Sequence, residues 1–428
     1  MQFRKAFLTK WLLSGITLLM SAQAGGAQNV TLDGTLGRAA TLIGPRYTIR
    51  QNDGQTVGSN LFHSFGRFSL IEGEQATFQS DSRIRNIFSR VTGGSPAMID
   101  GLISTQSTNV NFYLINPSGI LFGANAELDI GSATRGSFFA TTWDGLTWAN
   151  GNQFSATHPD RSPTLLTLVG DPSSFAALRS PAAIKLSEPQ LEVFRGQNLV
   201  LLGGDIQLDG AIVTALGGRV ELAAAAEAGT ARLDNRLRLQ VPAGLARADV
   251  ALLNGAIVGV TSQGGGEITI LARNLDILGG NGFKSGMVAG IGEFSGSVNA
   301  RSGDITLDAT GDITLTDSVI ANGLRFGARG QSGDITMRGR SLTVGEGASI
   351  GAVTQGRGNA GNIFLQVSDR VTLTGANTSL LSNVAFGAVG QGGKISIQAR
   401  SLHLINGGAL TATTFGRGNA GNDRHSGE

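Results

Sequence analysis

"GARGQSGDITMRGRSLTV", residues 327–344, returns as "GAVGQGGKISIQARSLHL" at residues 387–404. "GRGNAGN" returns at the same offset, starting from Gly356 and again from Gly416. A shorter period lies beneath this echo. "GEITI" begins at Gly266, "GDITL" at Gly303, "GDITM" at Gly333, "GNIFL" at Gly361 and "GGKISI" at Gly392. Successive starts are roughly 28 to 37 residues apart, a period that signals a solenoid or a propeller.

Each repeat divides into three short strands: "DITM", "SLTV", "SIGA"; then "IFLQV", "VTLT", "SLLS"; then "KISIQ", "SLHL", "LTAT". Apolar residues alternate within them, as in Ile335 and Met337, Leu342 and Val344, Ile363, Leu365 and Val367, and Ile395 and Ile397. Alternation with period two puts these on one face, with Thr, Ser, Asp and Arg on the other. The three-and-four spacing of a helix is absent, and Gly, Thr and Asn recur too often for one. Three strands per repeat predict an all-β fold, a right-handed parallel β-helix with three faces. Its coils would stack about 4.8 Å apart, with the hand set by strand twist. A propeller would need about 40 to 50 residues and four strands per blade.

Composition agrees. The chain has 64 glycines in 428 residues, about twice the usual share of about 7%. It has no cysteine and little charge, and its many aliphatic residues argue against disorder. Residues 1–27 read as a signal peptide. Arg4, Lys5 and Lys10 precede the apolar run "WLLSGITLLM", and "SAQAGGAQ" offers cleavage after Ala24 or Ala27. That run is short for a membrane span and no later stretch does better, so no stable span is expected after cleavage. Three of the 33 basic residues belong to the signal; the rest fall one short of the 31 acids. The exported chain therefore has no net pull toward nucleic acid.

The first half carries the same short-strand texture with a weaker period. "NLVLLGGDIQLDGAIVTALGGRVELAAA", from Asn198, reads as coil strands at 199–202, 205–208, 211–214 and 219–222. Residues 141–166, "TTWDGLTWANGNQFSATHPDRSPTLL", break the rhythm. They read as an excursion of small antiparallel strands covering one side, with Trp143 and Trp148 as packing residues. In "NFYLINPSGILFGANAELDIG", residues 111–131, a rigid turn separates two apolar runs. A β-helix explains it, because the strand after a corner belongs to another face and needs no hairpin partner. Pro117 fixes φ, Gly119 tolerates positive φ, and Asn116 can bond backbone groups just beyond it.

"NPSGILFGANAELDIG", preceded by "IRNIFSRVTGGSPAMIDGLI" at 84–103, resembles the N-terminal domain of filamentous haemagglutinin-type exoproteins. This is the two-partner secretion, or haemagglutination activity, domain. "FSATHPD" and "GGDIQLDGAIVTALGGRVELAA" resemble later parts of the same pattern. The resemblance covers 28–250 and leaves 251–422 as plain repeats. The family's turn is usually Asn-Pro-Asn-Gly-Ile; here Ser118 takes the third place. Its second signature, Asn-Pro-Asn-Leu, is not present as such, and "NIFSRVTGG" resembles a family variant. The resemblance implies a secreted exoprotein recognised by an outer-membrane pore with periplasmic receptor modules, reaching the surface of a Gram-negative-type bacterium. An adhesin role is implied, with a host or cell-surface glycan or protein as target. The motif residues implied to meet the partner are Asn116, Pro117, Ser118, Gly119, Ile120, Asn86, Arg90, Gly93 and Gly94.

No catalytic, cofactor or metal site is predicted. "GRGNAG" fits G-x-G-x-x-G but opens a strand rather than a helix, which argues against a dinucleotide site. His63, His158, His403 and His425 are scattered, giving no basis for a zinc site or triad. The rivals to a non-catalytic exoprotein are a polysaccharide-active β-helix enzyme and a surface scaffold with no adhesive role. An enzyme needs gathered carboxylates. Asp304 and Asp334 recur at equivalent positions, but Asn362 and Lys394 follow them. These are expected to be solvated strand ends. After the second "GRGNAGN", "DRHSGE" stands where a strand is due. Residues 423–428 are read as a short tail of a truncated solenoid.

Overall fold

The computed structural model describes residues 29–131, 135–161, 165–421 and 423–426. The signal peptide predicted over 1–27 lies outside the described residues.

The chain winds into a right-handed parallel β-helix with three main faces. One coil illustrates it: Ile335–Gly339 lies on the first face, Ser341–Gly345 on the second and Ser349–Gly351 on the third. Each pairs in parallel with its counterparts one coil below and one above. The register stacks Ile268, Ile305, Ile335, Ile363 and Ile395 into one column. Ile320, Ile350 and Leu380 form another on the third face. All these side chains are fully buried, and each contributes about 1.5–3 kcal/mol by leaving water.

Corners need a different device, because backbone N–H groups there leave the strand ladder. Asp304 Oδ1 accepts the N–H of Asp334 at 2.8 Å, Asp334 Oδ1 accepts that of Asn362 at 2.8 Å, and Asn362 Oδ1 accepts that of Lys394 at 2.9 Å. The expected solvated strand ends are thus a ladder of acceptors, each oxygen serving the next coil. Lys394 ends the described row, since an ammonium offers no acceptor. The tail is also corrected: Asp423–Ser426 forms a strand parallel to Ile395–Gln398. Backbone pairing is available to any non-proline sequence on an open coil edge, whatever its apolar pattern.

Between the third and first faces a short fourth row of bridges joins Arg329, Arg357, Val389 and Arg417. The bridged positions at the end of the third face are Leu324, Thr354, Val384 and Thr414. The connection between these rows alternates in length from coil to coil: residues 325–328, 355–356, 385–388 and 415–416.

At the N-terminus, Val30–Asp33 and Ala39–Thr41 add antiparallel strands beyond Asn60–Phe68, covering the first face's starting edge. The expected excursion is present and antiparallel. Gly145–Thr147, Gln153–Ser155 and Ser174–Ala177 form it, joined by Gly229–Leu233 and Leu239–Gln240 from a second excursion that the sequence reading missed. This small sheet covers the outside of the first face and creates a second core there, which includes Phe62, Phe88, Tyr113, Phe139, Trp143, Trp148 and Phe175. Trp143 and Trp148 are packing residues, as expected, with the indole N–H of Trp148 donated to the Gly170 carbonyl at 3.1 Å.

Candidate functional site

The two candidate segments occupy the same corner on successive coils. Asn86–Val91 and Asn111–Ile115 pair on the first face, with Arg90 opposite Ile115. Ala97–Ile99 and Ile120–Phe122 pair on the second, with Ala97 opposite Ile120. The intervening residues 92–96 and 116–119 are therefore stacked. The structure brings together two signatures that lie more than 20 residues apart in sequence.

The Asn116 side chain fastens this stack. Its Oδ1 accepts the N–H of Ser118 at 3.0 Å, holding its own turn, and its Nδ2 donates to the Ser95 carbonyl at 3.0 Å on the coil below. The Asn116 carbonyl accepts the Gly119 N–H, closing a turn with Pro117 second. Gly119 has φ +119°, a conformation that favours glycine. Its carbonyl accepts the N–H of Ala97. Ile120 drops into the core beside Ala97 and Ile184. Asn116, Pro117, Gly119 and Ile120 are buried and only Ser118 is partly accessible.

In the lower corner, Gly93 and Gly94 are exposed, whereas Asn86 and Arg90 are fully buried. Gly93 has no room for a side chain, since a Cβ would lie 1.9 Å from the Gly66 carbonyl oxygen; Gly94 has φ +75° with open space around it. Asn86 belongs to an amide ladder across coils. It donates to Asn60 Oδ1 at 3.0 Å and Asp171 Oδ1 at 2.9 Å, and its own Oδ1 accepts from Asn111 Nδ2 at 3.2 Å.

Arg90 points outward from the first face and is roofed by the excursion. Its guanidinium donates to Ser64 Oγ at 2.8 Å, the Ser155 carbonyl at 2.7 Å and Thr35 Oγ1 at 2.9 Å, and lies 4.5 Å from the centre of the Phe154 ring. Its counter-charge is one hydroxyl away. Asp33 accepts from Ser64 Oγ at 2.6 Å and Thr35 Oγ1 at 2.8 Å. Burial pulls the Arg90 guanidinium down to about 10, partly offset by Asp33. Burial raises Asp33, but hydrogen bonds from Ser64, Thr35 and Thr92 outweigh it and hold the carboxyl below its ordinary range. Arg90 thus ties together the N-terminal cap, two coils and the excursion. Sequence reasoning missed Asp33, Thr35, Ser64 and Asn60. Only their small polar character inside apolar surroundings, as in "NLFHSFGRF", gave a signal.

Every segment of this cluster belongs to the start of the helix, and the excursion returns to it beside Gly119, where Ile120 donates its N–H to the Ala183 carbonyl. The arrangement is that of a capped and covered β-helical domain from which a plainer solenoid of repeats continues. Residues 28–270, more than half of the chain, match the family model of the TPS secretion domain. The chain belongs to that family: it is an exoprotein of two-partner secretion, whose TPS domain engages an outer-membrane transporter. Its structure is similar to the HMW1 secretion domain from Haemophilus influenzae, with a TM-score of 0.50 and 15% identity, covering 88% of this chain and 96% of that one. The filamentous hemagglutinin secretion domain aligns at 13% identity and a TM-score of 0.27, covering 85% and 90%. No curated protein matches the sequence.

Proposed function

We propose that the chain is delivered by its signal peptide to the periplasm, where receptor modules of the pore read the segments around Asn86–Val91 and 116–120 before they fold. It then crosses the outer membrane of a Gram-negative-type cell and acts at the surface as a non-catalytic, haemagglutinin-like adhesin. A host or cell-surface glycan or protein would be its target. The observation that supports early reading is burial. Asn86, Arg90, Asn116 and Pro117 offer almost no surface once the coils have closed, so a partner that uses these side chains must meet the unfolded chain. The non-catalytic reading is supported by the fate of the recurring acids: Asp304 and Asp334 spend an oxygen on the next coil's backbone.

Secretion tests this. The chain is expressed with and without the candidate pore, as wild type, Asn116→Ala and Arg90→Ala, and supernatant amounts are compared. Pore-dependent release should fall severalfold in the variants. The purified Asn116→Ala domain should keep its β-sheet circular dichroism, because removing two part-buried hydrogen bonds costs about 1–3 kcal/mol. Release that ignores both the pore and the substitutions would reduce these residues to structural corners.

A further inference from the structure

The "GRGNAG" motif, which binds no nucleotide on the sequence reading, has a place in the fold that suggests another ligand. The fourth row passes through Arg329-Gly330-Gln331, Arg357-Gly358-Asn359, Val389-Gly390-Gln391 and Arg417-Gly418-Asn419 on four successive coils. Arg301, one coil earlier, stands in register with Gln331. The amides are occupied in holding the row: Gln331 Oε1 accepts the N–H of Asn359, Asn359 Oδ1 that of Gln391 at 2.9 Å, and Gln391 Oε1 that of Asn419. The central glycines permit very close backbone stacking, and a Cβ on Gly358 would fall 1.6 Å from the Gly330 oxygen. The row is therefore a stiff support for its arginines.

Those arginines are exposed and unmatched. Elsewhere on the solenoid Arg273 pairs with Asp249, Arg340 with Asp312 and Arg400 with Asp369. Among the described residues, no ion pair or side-chain hydrogen bond engages Arg301, Arg329, Arg357 or Arg417. Register places Arg329 and Arg357 about 4.8 Å apart along the helix, with Arg417 two coils further. Beside the row, on the alternating connections, stand exposed Phe326, Phe386 and Phe415. A groove of about 550 Å³ opens next to them, lined by Arg325, Gln355, Leu381, Asn383, Phe386 and Phe415.

We propose that this row and groove bind an acidic polysaccharide laid along the helix axis. Guanidinium groups pair with carboxylate or sulfate in a two-pronged fashion, and a line of them one coil apart suits a polymer with repeated anions. Exposed phenyl faces suit the C–H faces of sugar rings, and the groove's amides suit hydroxyls. Duplex DNA is the poorer fit, since the exported chain has no net positive charge to attract it. All of these residues lie beyond the part that matches the TPS family model. The proposal rests on the adhesin reading only in setting the row outside the cell.

The test uses the purified full chain and immobilised heparin, polygalacturonate, neutral dextran and duplex DNA. Binding is expected to one or both acidic glycans, weakening with salt, and not to dextran. Retention on only one of the two still supports the proposal and identifies the anion. The triple variant Arg329→Gln, Arg357→Gln, Arg417→Gln should lose at least tenfold in affinity with unchanged circular dichroism, and Phe386→Ala should lose severalfold for glycan alone. A triple variant that binds like wild type would overturn the assignment. So would DNA binding as tight as the glycans, with Phe386→Ala indifferent. Because no pore enters the assay, failure here leaves the secretion reading untouched, and failure of secretion leaves the binding result standing.

Discussion

The first face of the helix is built in two ways. From Asn60–Phe68 to Arg219–Ala224 its strands are buried almost throughout, as in Asn86–Val91, where all six residues are buried. From Glu267–Ala272 onward every second residue turns outward and becomes accessible. The difference is the small antiparallel sheet, which lies over the early coils only. Early coils are held by a second core and by long-range polar contacts such as that of Arg90. Later coils touch little besides their neighbours, so their stability is nearly a sum of coil and interface contributions. The first design gives a domain cross-tied through its cover; the second gives a run of coils that lengthens without new long-range contacts.

The sharpest way to break the contrast is Trp143→Ala. Removing this fully buried indole should cost about 3–5 kcal/mol. Urea unfolding followed by Trp148 fluorescence should shift by that amount, while amide exchange over Ile335–Gly339 and Ile363–Val367 stays as in wild type. Equal loosening of those later strands would mean one cooperative unit, not two.

Acid should separate the regions next. His63 is fully buried, its ring set beside the backbone and carboxylate of Asp53. Burial pushes its imidazole down to about 4 from 6.5, against an opposing pull from the Asp53 carboxylate and backbone. The folded state therefore prefers the neutral ring. Its contribution is complete above about pH 6.5 and is lost as pH falls toward 4, roughly 3 kcal/mol in all. Unfolding midpoints of the early coils should fall across that window, and His63→Leu should flatten the fall. Midpoints that drop as steeply in the variant would rule out His63 as the cause.

The smallest effect belongs to a single corner. Asp334→Ala removes the acceptor of two Asn362 N–H bonds, from its backbone and its side chain, and should cost about 1–2 kcal/mol. Hydrogen exchange should quicken near residue 362 and not at the N-terminal cap, and Asp334→Asn should restore much of the loss. Uniform protection in both variants would leave the acceptor ladder without an energetic role.

These regions also differ in how far the sequence revealed them. Alternation in "DITM" and "IFLQV" predicts which residues point inward because one face meets water, and Ile335, Met337, Ile363 and Leu365 are buried as read. "NFYLI" and "NLVLLG" lack that alternation, since both faces are covered. The second cover could not be read, because Ser174–Ala177 pairs with Gly229–Leu233 across more than 50 intervening residues. The corner at 116–119 was legible from turn chemistry, but its contact with Ser95 and the burial of Arg90 depend on stacking. Nor could Asp334 be told from a solvated acid until the coils below and above it were aligned.

The alternating connections between the third face and the arginine row have a consequence for how such a chain grows. From residue 324 onward a long link lies against a short one, so the repeating block there is a pair of coils, and the echo of residues 327–344 at 387–404 copies one pair. Among the described residues two long links meet once, where 292–295 lies against 325–328, and there Phe294 and Phe326 pack edge to face with ring centroids 5.5 Å apart. Duplicating the pair keeps every junction as it was. Growth by whole pairs lengthens the shaft in double steps of about 10 Å each, repeating what the surface presents.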